Sequence, residues 1–507
     1  MTGGFLQLVS YGAQDFYLTG NPQISFFKAV YRRYTNFSMD YYRINPENNI
    51  DISETTTTTY KFKIERNGDL ISNIFLVFTL PEIFSNNNTE FRWVRNLGSS
   101  AVEQVSIFIG GNLIDQHYGD WFYIWHELTL PLSRRSAYNQ LIGNVPEMYD
   151  PTLSPRFTSY PNKSKTNNKI PSIQSRIIRL PLIFWFNRNP SMALPLVSLQ
   201  YYPVEIQVEF KPITDLYTIK DKVTGGTIVA ANGLNSFNTR IKPNKNQNSY
   251  VSNNGLQNFV KDNSIVTDGN KNIVSFNIDP YLEINYIFLD KEEMNKFARS
   301  EHKYLIEQVT RKRFKDVLGS VTLDLKLHHP VSCLVVIPRR SDHEDRNDWN
   351  NFTNWITRGT PWATFNEFFE PFFDDDFARE VIRTTNYDIK GQENIIKSLS
   401  LKLNGVERLS DKDSDFYNLA QSYNYAKNTP SRGILFYSFS LDPFDYQPSG
   451  SCNMSRFNDI KLSLETTPTP IPEGETKNLY DYVVDVFAIN YNVLRITGGQ
   501  GNLEFSN

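Results

Sequence analysis

Cysteine is nearly absent from this chain: Cys333 and Cys452 are the only two among 507 residues. Two thiols give neither a disulfide framework nor a thiolate metal cage, which points to a reducing compartment and to both cysteines as small buried hydrophobes. An excess of one charge is missing too. Lys and Arg total 52 against 55 Asp and Glu, for a formal net charge of −3, and the basic residues are spread along the chain. No electrostatic footprint for nucleic acid results, so direct contact with a genome is not expected. The most apolar runs, such as Ile74 to Leu80 and Leu182 to Phe186, are too short to span a bilayer and stop at or near prolines. The N-terminus has no basic segment leading into an apolar stretch, which argues against a cleaved secretion signal, and the chain reads as soluble. There is no G-x-S-x-G elbow, Walker-type phosphate loop or dinucleotide fingerprint. Neither catalysis nor a cofactor is expected.

Aromatic side chains are abundant instead, with 36 Phe and 28 Tyr, a supply that suits sheets burying large areas. Apolar residues alternate at the two-residue period of a half-buried strand, interrupted by turn residues such as Asn67-Gly68, Pro81 and Gly110-Gly111. Strands are predicted at Ile24–Val30, Thr55–Ile64, Leu70–Leu80, Val102–Ile109, Ser175–Phe186, Val204–Phe210 and Tyr281–Leu289. An acidic start and Arg299 at the end predict a helix over Lys291–Arg299. The strand pattern then resumes at Tyr304–Arg311, Val321–Leu327, Val331–Ile337, Asn394–Leu403, Gly433–Leu441, Ile460–Leu464 and Tyr482–Ile496.

The two halves repeat each other. Segment 102–123 lies on segment 396–417 without a gap: Val105, Ile107 and Ile109 fall on Leu399, Leu401 and Leu403, Gly111 on Gly405, and Phe122-Tyr123 on Phe416-Tyr417. Further on, Phe186, Pro190 and Pro195 match Phe439, Pro443 and Pro448, and Ile206, Val208 and Phe210 match Ile460, Leu462 and Leu464. Matches in one order imply two copies of one β-domain, and the length suits two domains of roughly 200 to 250 residues. The organisation expected is an N-terminal arm at 1–23, a first domain at 24–290, a helical connector at 291–302 and a second domain at 303–507. Polar or turn-rich stretches at 131–174, 211–278 and 339–393 read as long surface loops.

Several residues invite a chemical role. His328-His329 beside Cys333 suggests a metal, but adjacent residues of a strand point to opposite faces, and turn roles fit better. His117, Asp120, His126 and Glu127 crowd one segment whose second copy lacks the histidines, which disfavours catalysis. Asp374-Asp375-Asp376 lacks the spaced ligands of a hard-cation loop. Trp349, Trp355 and Trp362 are candidate exposed loop contacts for a sugar or a partner, with packing of the loop itself as the competing reading. Glycosylation triplets stand at Asn36, Asn87, Asn162, Asn351 and Asn453, as chance allows in an Asn-rich chain.

Blocks running from end to end resemble one family. Gly3 to Asp40 (GGFLQLVSYGAQDFYLTGNPQISFFKAVYRRYTNFSMD), RNGDLI at Arg66, IGGNLIDQHYGDWF at Ile109, LPLIFWFNRNPSMALPLVSLQY at Leu180, YIFLD at Tyr286, YLIEQ at Tyr304, QPSGSCNMSRF at Gln447 and NYNVLRITGGQGNL at Asn490 are similar to the double jelly-roll major capsid proteins of nucleocytoplasmic large DNA viruses. The resemblance implies an all-β chain of two tandem eight-stranded jelly rolls, with long surface loops and a short helical connector. It also implies a homotrimeric, pseudo-hexagonal capsomer in an icosahedral virion capsid, assembled in the host cytoplasm. Partners would then be the chain itself, neighbouring capsomers, penton and minor capsid proteins and, indirectly, an inner membrane. Under it, Phe5, Leu6, Phe16, Tyr17, Phe26 and Phe27 become candidate arm contacts, with Arg32 and Arg33 able to pair with acidic groups of a neighbour. From Ile24 onward the competing reading is a first strand tucked into its own sandwich. A carbohydrate-binding attachment protein on a jelly roll is the alternative, because the fold hosts both functions.

Overall fold

The computed structural model describes residues 2–221, 255–354 and 393–506, apart from 49, 86–88, 152–159, 162–169, 257–258, 261–264, 268–272, 470–477 and 479. Alternation becomes sheet wherever one face of a strand finds a partner to bury it. In Val204–Phe210 the residues Val204, Ile206, Val208 and Phe210 are buried, while Glu205, Gln207 and Glu209 between them remain half-exposed. Each such side chain contributes roughly 1.5–3 kcal/mol on leaving water.

The first half supplies β1 (Phe37–Ile44), β2 (Thr58–Lys63), β3 (Leu70–Leu80), β4 (Val102–Ile109), β5 (Asn112–Tyr118), β6 (Arg176–Pro181), β7 (Val204–Phe210) and β8 (Tyr281–Leu289). Their antiparallel neighbours run in the orders β1–β8–β3–β6 and β2–β7–β4–β5. The second half supplies β9 (His302–Val317), β10 (Ser320–Asp324), β11 (Pro330–Arg340), β12 (Ile396–Leu403), β13 (Val406–Asp413), β14 (Leu435–Ser438), β15 (Ile460–Thr466) and β16 (Tyr482–Thr497). These run β9–β16–β11–β14 and β10–β15–β12–β13. The same eight-strand order therefore occurs twice, and the fold is a double jelly roll. α1 (Gly119–Thr129) follows β5, and α2 (Lys291–Arg299), capped by the Asp290 carboxylate on the Lys291 N–H, joins the rolls.

The repeat seen in the sequence holds closely across β4 to β5. Gly110-Gly111 has φ of 60° and 84°, and Asn404-Gly405 has 48° and 78°, the consecutive left-handed residues of a two-residue type I′ hairpin. Further along the register needs correction. Ile206 stands opposite Ile107 and Leu462 opposite Leu401, so Ile206 corresponds to Leu462 and not to Ile460. Leu194–Pro195 pairs with the start of β3 as Cys452–Asn453 pairs with the start of β11, so Pro195 corresponds to Asn453 and not to Pro448. The first of these slips is of two residues, which keeps every side chain on its face, so periodicity cannot detect it.

Three boundaries also change. Ile24–Val30 is not a strand: the first sheet starts at Phe37, and the exposed lead-in runs past residue 23 into the segment assigned to the first domain. The strand expected over Ser175–Phe186 ends at Pro181, and Trp185–Arg188 is a helical turn. All three presumed surface loops begin with ordered structure, the third with the end of β11 and the helical turn His343–Arg346. Leu132–Leu141 is helical, and Tyr217–Asp221 pairs with Thr89–Trp93, with Tyr217 and Ile219 fully buried. One apolar cluster runs through both halves, uniting Trp121 and Phe122 of the first roll with Cys333, Phe487 and Ile489 of the second. Among the described residues no helix is long and apolar enough to cross a membrane.

Candidate assembly site: the seam between the rolls and the exposed arm

The two rolls meet where β5 lies against β9. The Val309 N–H donates to Asp115 Oδ1 at 3.2 Å, the Gln308 amide donates to the Ile114 carbonyl, and the Arg311 guanidinium sits 3.6 Å above the Tyr118 ring. α1 carries the apolar part of the seam. Its first residue must be glycine, because a Cβ on Gly119 would stand 2.0 Å from the Val102 carbonyl and 2.6 Å from that of Ser99. So anchored, the helix stacks Trp121 on Phe487 with ring centroids 5.2 Å apart and sets Trp125 edge-on to Phe444 at 5.4 Å. Arg188 lies 3.9 Å over the Trp125 ring and pairs with Glu307.

A buried ionic network completes the seam. Asp120 of α1 forms an ion pair with Arg339 Nη2 at 2.7 Å, while Asp485 of β16 accepts from Arg313 at 2.8 Å and lies 3.9 Å from Arg339. Burial alone would raise the Asp120 carboxyl, but Arg339, Lys211 and Arg313 outweigh it and hold the group well below the usual carboxylate range. Burial lowers Lys211, whose ammonium rests 3.6 Å from the centre of the Trp349 ring. Burial, with Arg339 nearby, depresses His343 to about 3. The segment after β11 crosses back to the first roll. Asn347 donates to the carbonyls of Thr214 and Tyr217 at 2.7 and 2.8 Å, and Trp349 Nε1 donates to that of Asp215 at 2.9 Å.

The arm behaves in the opposite way. The short helices Gly3–Val9 and Phe16–Thr19 bury nothing. Phe5, Leu6, Phe16, Tyr17, Phe26 and Phe27 all face solvent, the last at 99% of full exposure, and Arg32 and Arg33 are exposed beside them. β1 continues this surface, with every residue but Ile44 exposed. Apolar surface of that density is more than a monomeric protein commonly exposes.

Residues 25–255 match the family model described as major capsid protein N-terminus, and residues 293–502 match the one described as large eukaryotic DNA virus major capsid protein. The major capsid protein of Phaeocystis pouchetii virus is 30% identical over 569 residues, and that of Paramecium bursaria Chlorella virus 1 is 30% identical over 530, each covering 100% of both chains. The chain belongs to the major capsid proteins of large DNA viruses. Its fold agrees: PBCV-1 VP54 superposes with a TM-score of 0.66 at 23% identity, covering 95% of this chain and 100% of that one. The Faustovirus major capsid protein gives 0.63 at 14% identity, covering 96% and 94%.

In this major capsid protein the sequence candidates separate into seam and surface. Trp349 is not an exposed loop contact: it is 9% exposed, packed under Lys211 and hydrogen-bonded across the seam. Asn351 is not an accessible glycan acceptor, since it is buried, its amide donates to Asp348 at 2.9 Å and its carbonyl oxygen accepts from the Thr353 backbone and hydroxyl. Asn36 and Asn453 are exposed. Trp355, Trp362, Asn87, Asn162 and Asp374–Asp376 lie outside the described residues. His126 stacks on Tyr138, and burial lowers it to about 4; Glu127 accepts from Arg135 and from the Ser431 N–H, so both serve packing and the seam. His329 sits in a turn at φ 65° and donates its N–H to Ser455. Sequence reasoning missed the ionic network, because Asp120, Arg339 and Asp485 are far apart in the chain.

Proposed function

We propose that this major capsid protein forms homotrimers in which six rolls surround a threefold axis as a pseudo-hexagonal capsomer, and that these capsomers tile an icosahedral shell. One observation carries the reading: two rolls of identical strand order are locked side by side by a buried seam. Three such pairs supply six similar blocks with edges that repeat around a ring. The protein acts by self-association and not by catalysis, and many weak contacts between capsomers are multiplied over the shell. The arm residues Phe5, Leu6, Phe16, Tyr17, Phe26, Phe27, Arg32 and Arg33 meet neighbouring capsomers or penton and minor capsid proteins. Any inner membrane is reached indirectly, nucleic acid is not contacted, and assembly takes place in the host cytoplasm before the chain resides in the virion capsid. The carbohydrate-binding alternative loses one of its three indoles, because Trp349 belongs to the seam. Electron-microscope class averages of the purified protein test the proposal. Six-lobed particles with threefold symmetry are expected; isolated two-lobed particles contradict it.

A further inference from the structure

A hydroxyl that follows two arginines at a fixed spacing is what an arginine-directed protein kinase reads, because guanidiniums ahead of the acceptor dock on carboxylates of the kinase cleft. Adjacent arginines occur three times in this chain, at Arg32-Arg33, Arg134-Arg135 and Arg339-Arg340. Only the first pair has a hydroxyl two places beyond it: Thr35 follows Tyr34, whereas Ala137 and Asp342 hold that place after the others. We propose that Thr35 is a phosphorylation site for an arginine-directed serine/threonine kinase, and that copies bearing the phosphate stay out of the shell; the second half rests on the arm contacts proposed above.

The surroundings of the three pairs differ as sharply as their spacing. Residues 31–36 form neither helix nor strand, and every one of them is exposed. Arg32, Arg33 and Thr35 make no hydrogen bond or ion pair among the described residues. Arg134 and Arg135 lie instead within the helix Leu132–Leu141, where Glu127 holds Arg135 at 2.9 Å. Arg339 and Arg340 are buried against Asp120 and Asp342. A kinase takes its substrate as a straight segment along the cleft, and only the arm can be drawn into that shape without unfolding anything. The residues after the acceptor are reachable as well, since β1 is an edge strand exposed at every residue but Ile44.

The co-reactant is the magnesium complex of a nucleoside triphosphate. A bond forms between Thr35 Oγ1 and the γ-phosphorus, the bond from that phosphorus to the bridging oxygen breaks, the diphosphate leaves, and the hydroxyl proton passes to a carboxylate of the kinase. Asp15 is the only acid set against Lys28, Arg32 and Arg33 in residues 1–36, so a group of about −1.5 to −2 charge brings the arm close to neutral. The phosphate also stands among Phe26, Phe27, Tyr31 and Tyr34, all strongly exposed rings. Any contact made through those rings would have to strip the phosphate of water, which opposes burial of the arm. Removing the phosphate restores the cationic, apolar surface and releases the copy for assembly.

Mass spectrometry tests both halves. The purified protein, incubated with the catalytic subunit of cyclic-AMP-dependent protein kinase and magnesium ATP, is expected to gain one phosphoryl group, placed on Thr35 by peptide fragmentation. Thr35→Ala should abolish the gain, Thr35→Ser should keep it, and Ser136→Ala should leave it unchanged. Replacing Arg32 and Arg33 together by Ala should lower kcat/KM for the kinase about a hundredfold, since two charge-assisted contacts are lost. These side chains are exposed, so the fold is not at stake in any of the variants. No incorporation, or incorporation that survives Thr35→Ala, overturns the site. In infected cells, phosphate on Thr35 should be about tenfold scarcer in chains recovered from particles than in the soluble pool. Equal occupancy in the two pools overturns the exclusion and counts against the arm contacts while the site stands, and no phosphate in either pool overturns the site. A trimer mass by light scattering is independent of both results.

Discussion

Removing the Asp120 carboxylate is the sharpest way to ask whether the seam holds the rolls as one unit. Arg339 is 2% exposed and has Asp120 as its close partner at 2.7 Å; the other carboxylate beside it, Asp485, lies at 3.9 Å and already holds Arg313. Asp120→Ala therefore leaves a desolvated guanidinium with a distant partner. Loss of one member of a buried pair costs about 3–5 kcal/mol. Because Asp485 still offers partial compensation, about 3 kcal/mol is the expectation here. Replacing Arg339 by Met as well removes the stranded charge, so the double variant should fall short of the sum of the single effects by about 2 kcal/mol. Urea unfolding followed by tryptophan emission measures this, since Trp121 adjoins Asp120 and stacks on Phe487. An Asp120→Ala cost below about 1 kcal/mol, or strict additivity in the double variant, would refute the network as a strut of the seam.

Two glycines with similar backbones should respond very differently. Gly433 has φ 88°, and a Cβ there would stand 2.1 Å from the Phe352 carbonyl, whereas Gly111 has φ 84° and open space around it. Gly111→Ala should cost about 1 kcal/mol and Gly433→Ala several times more, as differential scanning calorimetry would read. Acid should loosen the molecule through His343 and His126, which native burial holds at about 3 and 4 against an ordinary 6.5. Between those limits the unfolded chain takes up protons that the native chain refuses, so stability is full above about pH 6.5 and falls as pH drops, by about 2–3 kcal/mol per histidine at pH 4.5. Burial raises the carboxyls of Glu127 and Glu307, which acts in the opposite sense near their own range. The clean readout is thus the difference between the native chain and His343→Gln, whose urea midpoint should fall less steeply from pH 6.5 to 4.5.

Much of the fold could be read from alternation and turns. β3, β4, β7, β8 and α2 were legible to the residue because each is half-buried or sharply punctuated, and Gly111 and Gly405 mark matched hairpins. α1 was not legible. GDWFYIWHELT is buried nearly all round between two rolls, so it lacks the polar stripe by which a helix announces itself. Ile24–Val30 misled for the converse reason: its apolar residues look like a strand facing its own core, and the sequence does not say whether the cover comes from the same chain or from another. Trp349 and Asn351 shared that ambiguity, since exposure depends on the first roll lying across their segment. The resemblance of whole blocks identified the family, while register and burial at the seam required three dimensions.

The mass of the purified protein in solution tests the central idea most directly. Multi-angle light scattering should give three times the 58.8 kDa of a single chain. A folded single-chain mass at micromolar concentration would contradict it.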